Sequence, residues 1–168
     1  MTTTTPSLDM ARAVLAAQPF SVLLGAELTA FDTNGATLEI PIHDNLRQQF
    51  GYVHGGVLAY LADNTITYAG GAALGPNVLT SGFTITYLRP ADGVRLRAIA
   101  HVIDATGRQA VCSCQVFAVP ADGDPVLCAT AQGTVRAIAR ERAEGFSGAA
   151  GRVAARSHPV TFSDIGIR

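Results

Sequence analysis

The sequence predicts an α+β fold in which a strongly bent antiparallel sheet wraps one long helix, and three observations carry that expectation. The stretch from Val57 to Leu74 is apolar, rich in Ala and Gly, and too long for a strand. After Gly75-Pro76-Asn77 the chain is strand-like throughout: Val78 to Leu88, Val94 to Ala105, Gln109 to Val119 and Val126 to Val135 are rich in β-branched and alternating residues. The separators Pro90-Ala91-Asp92-Gly93, Thr106-Gly107-Arg108 and Pro120 to Pro125 are short and turn-forming. Short connections of this kind predict that consecutive strands lie side by side and antiparallel. The order of helix, hairpin, long helix and strands lacks the strand-helix alternation of a doubly wound sheet.

Taken in order, Ser7 to Gln18 opens with Ser7 as N-cap, spaces Met10, Val14 and Ala17 near the helical period, and is stopped by Pro19. Glu27 to Phe31 and Ala36 to Ile42 alternate apolar and polar around Asn34-Gly35, a hairpin pattern. His43 to Val53 reads as a loop leading into the central helix. Asp63, Asn64, Thr65 and Thr67 make that helix poor material for a lipid-facing span. The expected organisation is an N-terminal helix (1–19), one folded domain (20–140) and an Ala/Gly/Arg-rich appendage (141–168) with no sustained period.

Length and charge exclude several functions. At 168 residues the chain suits one domain. Its formal charge of −1 provides no footprint for nucleic acid or an anionic membrane. All 12 cationic side chains are arginines, so lysine Schiff-base and lysine general-base chemistry is excluded. Charged residues make up only 15% and apolar ones 48%, a balance that points to apolar surface hidden between subunits. Cys112, Cys114 and Cys128 are odd in number and lack metal spacing, which suits core filling in a reducing cytoplasm and a site without metal. The threonine-rich start has neither the basic nor the apolar region of a signal peptide.

The chemistry-bearing stretch runs from Gln48 to Asn64. In His54-Gly55-Gly56 the glycines stand where loop becomes helix. They either simply permit a tight turn, or they leave the first backbone N–H groups bare for a carbonyl oxygen, favoured there by the helix dipole. Asp63 lies two turns on, with Ala59, Ile66 and Gly70 on its face. A carboxylate there is either a satisfied core residue, bonded to Thr67 or a strand N–H, or a group in use. Gly55 and Asp63 are eight residues apart, about 12 Å along a helix at 1.5 Å per residue. If the two act on one carbon, they must come from different copies, which predicts a two-fold dimer with two equivalent sites.

Gln48, Gly51-Tyr52-Val53-His54-Gly55-Gly56-Val57, Asp63-Asn64, Thr80 and Ile85-Thr86-Tyr87-Leu88-Arg89-Pro90 together resemble the PaaI-like branch of the hotdog-fold acyl-CoA thioesterases, over residues 20 to 137. The resemblance implies a hotdog fold, a homodimer or dimer of dimers, an acyl-CoA substrate and no cofactor. It implies that Asp63 attacks the thioester or activates a water. It further implies that the partner's Gly55 N–H polarises the carbonyl, Gln48 orients carbonyl or water, Thr80 holds the water and His54 supports the site. A thioester is already activated, so one carboxylate and an oxyanion site suffice.

For substrate contacts the candidates are Gly56, Asn64, Phe50 and Tyr60, with Tyr52, Tyr68 and Phe83 as further pocket aromatics. Of the cations near strand ends, Arg89, Arg95, Arg97 and Arg108, we expect Arg89 and Arg108 to meet the nucleotide of CoA. Gly70-Gly71-Ala72-Ala73-Leu74-Gly75 ends a helix and is no phosphate loop. Two other functions fit the same fold: a non-catalytic acyl-CoA-binding module and a hotdog hydratase or dehydratase, although the proline-rich start of such dehydratases is missing.

Overall fold

The computed structural model describes residues 7–139; the N-terminal threonine run and the expected appendage at 141–168 lie outside the described residues. Helix α1 (Leu8–Ala16) is capped by Ser7, whose hydroxyl accepts from the Met10 N–H at 3.2 Å, and it buries Ala11 and Leu15. Pro19 does end this helix, but it also opens a second, unexpected one, α2 (Pro19–Leu23). A fixed φ and a missing N–H both suit the first helical position.

Strands β1 (Glu27–Asp32) and β2 (Gly35–Pro41) form the expected antiparallel hairpin, and the Asn34 N–H donates to Asp32 Oδ1 at 2.7 Å in its turn. A single 3-10 turn, Asp44–Leu46, interrupts the following loop. Helix α3 (Gly55–Leu74) starts two residues before the apolar run and ends at Gly75, whose φ of +97° only glycine adopts readily. Its Leu58, Leu61, Ala62, Thr65, Ile66 and Ala69 are all buried, so the helix is covered on most sides, as befits the axis of the fold. Full burial of Leu61 and Ile66 contributes about 1.5–3 kcal/mol each.

Strands β3 (Val78–Tyr87), β4 (Arg95–Thr106), β5 (Gln109–Val119) and β6 (Val126–Ala137) complete an antiparallel sheet of order β1-β2-β4-β5-β6-β3. This is the hotdog arrangement. The order corrects one expectation: β3 does not lie beside β4 but pairs with β6, and residues 88–94 form a crossover. A short link limits distance, not adjacency. Three interstrand spacings amount to about 14 Å, which seven residues span easily. The crossover is anchored by buried Ala91, whose carbonyl accepts from the Val53 N–H at 2.9 Å. The other pairs joined by short links, β1–β2, β4–β5 and β5–β6, are neighbours as expected. Among the described residues no helix is long and apolar enough to cross a membrane.

The core-facing side of the sheet carries Leu38, Ile40, Leu96, Cys112, Cys114, Val116, Cys128 and Val135. The three thiols are buried, and burial pushes Cys112 up to about 11 and Cys114 up to about 12, so they stay protonated and pack as small hydrophobes.

The adjacent glycines of α3 differ in kind. A Cβ at Gly70 would lie 2.6 Å from Val135 Cβ, whereas one at Gly71 would meet Val78 Cγ2 at 3.4 Å. Gly70→Ala is therefore expected to lower unfolding stability by about 1–3 kcal/mol despite its better helix propensity. Gly71→Ala should be neutral or gain up to about 1 kcal/mol. Urea denaturation of the two variants checks this, and equal effects would contradict it.

Candidate active site

One chain carries its candidate residues at two different points along α3. The first lies at the helix start. His54 occupies the N-cap, and its Nδ1 accepts from the Gly56 N–H at 2.9 Å, which assigns the histidine to supporting the helix start. This narrows the expectation that both glycine N–H groups are bare. Gly56 is engaged, while the Gly55 N–H makes no hydrogen bond among the described residues. Tyr87, whose role the run Tyr87-Leu88-Arg89-Pro90 does not announce, lies against this turn. Its hydroxyl donates to the Gly55 carbonyl at 3.0 Å, and its ring would be 3.4 Å from a Cβ at Gly55.

Gln48, Tyr52, Gly55, Leu58, Tyr87 and Arg89 share a cleft of about 360 Å³ at this end. The Gln48 Oε1 accepts from the Phe50 N–H at 2.7 Å, fixing the side chain and leaving its amide NH2 to donate. Phe50 itself is 76% exposed and does not line the cleft. Arg89 donates to the Leu127 carbonyl at 3.1 Å.

The second point lies two turns on. Asp63 Oδ1 is buried with no hydrogen-bond partner among the described residues. The side-chain bond to Thr67 that a satisfied core aspartate could make does not form: the Thr67 hydroxyl donates to the backbone carbonyl of Asp63 at 2.9 Å and meets the Thr80 hydroxyl at 2.5 Å. Thr80 is thus brought beside the helical turn that carries Asp63. An unpartnered buried carboxylate oxygen costs free energy, and such groups concentrate where function needs them.

Beside Asp63, Asn64 starts a polar chain that the sequence does not announce. Asn64 Nδ2 donates to the Tyr60 hydroxyl at 2.9 Å, Tyr60 to Ser21 Oγ at 2.7 Å, and Ser21 to Gln18 Oε1 at 2.7 Å. Tyr60 also packs edge-on against Phe20 and therefore serves this chain, not the cleft at Gly55. Burial raises the Tyr60 phenol, only partly offset by its bonds to Ser21 and Asn64. Asn64 and Thr67 border an apolar groove of about 230 Å³ between α1 and α3, walled by Met10, Val14, Phe31 and Tyr68. Burial pushes the Tyr68 phenol up to about 12.

The remaining candidates are dispersed. Phe83 is 36% exposed on β3. Arg95 and Arg97 are committed to Glu39, at 2.9 and 2.6 Å, and Glu39 is only 7% exposed. Arg108 is exposed at the β4–β5 turn, at the opposite end of β5 from the strand pair near Arg89, about 25 Å away along the strand. Within one chain, then, Gln48, Gly55 and Arg89 line one cleft, while Thr80 reaches Thr67 on the turn after Asp63 and Asn64 joins the Tyr60 chain, away from that cleft.

Comparison with known proteins gives this arrangement a family. The model of the Thioesterase superfamily matches residues 50–122. None of the curated proteins matches the chain. A thioesterase-family protein from Silicibacter pomeroyi is similar at 27% identity, over 79% of this chain and 98% of that one, with a TM-score of 0.74. A second X-ray structure from the thioesterase superfamily is 30% identical over 79% of this chain and 98% of its own, with a TM-score of 0.69. The Escherichia coli PaaI protein from the phenylacetic acid degradation operon shares the fold at 22% identity, covering 77% of this chain and 91% of that one, with a TM-score of 0.67. A helix wrapped by six antiparallel strands, identity of this extent over nearly the whole of a superfamily relative, and a matching family model together place the chain in the thioesterase superfamily.

Proposed function

We propose that the protein hydrolyses an acyl-CoA thioester as a homodimer with two sites, each built from both chains, in the manner of the PaaI-like branch. The observation that carries this reading is the unpartnered buried oxygen of Asp63, two turns from a helix start whose first N–H is bare. The two are about 12 Å apart along α3, too far to act together within one chain.

The sheet itself suggests how a second copy closes that gap. Strand β3 is ten residues long and ends the sheet, with Leu79 59%, Phe83 36% and Tyr87 52% exposed. A long apolar edge of this kind favours pairing with another strand. Antiparallel pairing of β3 with its own copy about a two-fold through Phe83 sets Thr80 opposite the partner's Thr86, one residue from the partner's Tyr87. That register brings the Asp63–Thr80 turn of one chain toward the Gly55–Tyr87 turn of the other. It also carries the partner's Arg108 toward the end of the sheet bearing Arg89.

In the resulting site the partner's Gly55 N–H and helix dipole stabilise negative charge developing on the thioester oxygen, and the partner's Gln48 donates its amide to the same region. Asp63 either adds to the carbonyl carbon or removes a proton from the attacking water. The C–S bond then breaks and CoA leaves as thiolate; attack by water releases the acid directly, whereas attack by Asp63 leaves an anhydride that a water hydrolyses to the acid and the free carboxylate. The acyl group runs into the groove between α1 and α3, while the nucleotide lies toward Arg89 and Arg108.

Thiol release from a panel of acyl-CoA esters tests the function. Turnover is expected for acyl groups that fit a groove of about 230 Å³ and should fall for larger ones. Release of no CoA, with tight binding retained, would make the protein a binding module instead. Single turnover in 18O water tests the nucleophilic role of Asp63, because label in its carboxylate arises only from an anhydride opened at the aspartyl carbon. Arg108→Ala is expected to raise KM about 3–10-fold with little change in kcat, the signature of lost uniform binding. An unchanged KM would remove Arg108 from the site.

A further inference from the structure

We propose that Arg47 is a positioning residue: it clamps together the two walls of the cleft at the start of α3, so that Gln48 and the Gly55 N–H meet the substrate in a fixed geometry. The inference rests on the reading of that cleft as the thioester site.

Gln48 sits on a tight turn. Its N–H donates to the Tyr52 carbonyl at 2.8 Å, and the Gly51 N–H returns to the Gln48 carbonyl at 2.9 Å, with Gly51 at φ +86°. The tip has no apolar anchor, since Gln49, Phe50, Gly51 and Tyr52 are all exposed. Polar bonds must hold it. At its base, Arg47 and Val53 form an isolated antiparallel bridge. From that base, one guanidinium nitrogen of Arg47, Nη1, donates to the Gly51 carbonyl at 2.6 Å and to Asp92 Oδ1 at 2.8 Å. Asp92 belongs to the crossover 88–94, which supplies Arg89, Pro90 and Ala91 to the opposite wall.

The carboxylate is itself fixed, because its Oδ1 also accepts from the Gly93 N–H at 2.9 Å. The Arg47 bond, then the Gly93 N–H, hold the Asp92 carboxyl below its ordinary value. The clamp is therefore complete at neutral pH and is lost only as pH falls below the usual carboxylate range. An exposed ion pair alone does little. Arg47 differs in that its side chain is only 26% exposed and grips a backbone carbonyl as well. Loss of this grip frees the turn that orients Gln48, and a displacement of about 1 Å at a reacting centre can cost about 100-fold in rate.

The test combines steady-state kinetics with amide hydrogen exchange on Arg47→Ala, Arg47→Lys and Asp92→Asn. Arg47→Ala is expected to lower kcat about 10–100-fold with KM changed less than about threefold. Asp92→Asn should lose less, Arg47→Lys should recover part, and Arg47→Ala with Asp92→Asn should be no worse than Arg47→Ala alone. Exchange in residues 46–54 should quicken at least about tenfold in Arg47→Ala, with 109–119 unchanged. Unchanged exchange in 46–54, or kcat within about twofold of the parent in Arg47→Ala, would overturn the clamp. A parent protein that hydrolyses no thioester defeats the functional reading, and exchange alone then decides whether Arg47 holds the turn.

Discussion

Asp63→Ala is expected to lower kcat/KM for the preferred acyl-CoA by at least about 1000-fold, a loss of about 4 kcal/mol in transition-state stabilisation, while the protein stays folded. In a core aspartate bonded to its neighbours the same change would leave partners unsatisfied and reduce stability. Here one carboxylate oxygen is buried without a partner, and the nearby Thr67 hydroxyl is occupied by the Asp63 carbonyl and by Thr80. Removing the carboxylate therefore strands no donor. The melting temperature should hold or rise by about 2–4 °C for each kcal/mol of desolvation relieved. Thiol-release kinetics beside a thermal melt reads both quantities. An active variant, or an inactive one that melts well below the parent, would mean that Asp63 is structural.

The second large effect concerns the other end of α3. Gly55→Pro removes the one bare N–H with little disturbance of the helix. Position N1 tolerates proline, His54 already has the extended backbone (ψ 134°) that a following proline requires, and a Cβ there meets Tyr87 only at 3.4 Å. Loss of one donor at a developing oxyanion typically costs about 100–1000-fold in kcat, and that is the loss expected.

Mixing this variant with Asp63→Ala then tests whether the site spans two chains. In a mixed dimer both lesions fall in one site and leave the other intact. Unfolding the two inactive proteins together and refolding them at equal amounts should restore about a quarter of the parent activity. If each chain held a complete site, no mixing would restore anything. Light scattering on the parent completes the test, since the proposal requires at least twice the chain mass of 17.4 kDa.

The local elements were legible because their causes are local. Ser7 as N-cap, Asn34-Gly35 as a hairpin turn, and the apolar run that became α3 each rest on interactions within a few residues, and all appear where expected. Pro19 announces only half of what it does, since proline ends one helix and suits the first turn of the next equally well. The place of β3 was not legible. Turn residues at 90–93 report a reversal of direction but not which strand lies alongside, and the pairing of β3 with β6 arises from closure of the sheet around α3.

The site divides in the same way. The sequence by itself determined the chemistry available: no lysine, a glycine-led helix start, and one acid two turns into an apolar helix. It also determined, through the fixed rise of a helix, that Gly55 and Asp63 are about 12 Å apart. Only the tertiary structure decided which groups are free to act. Gly56 and Gly55 are alike in sequence, yet His54 takes the N–H of one and leaves the other bare. Gly70 and Gly71 are alike too, yet Val135 lies against one alone. Tyr87, Thr80 and Arg47 reach α3 or its approach from segments remote in sequence or across a turn. The physical reason is that hydrogen-bond satisfaction and steric room depend on the neighbours that folding supplies, whereas residue type and helical spacing are properties of the chain alone.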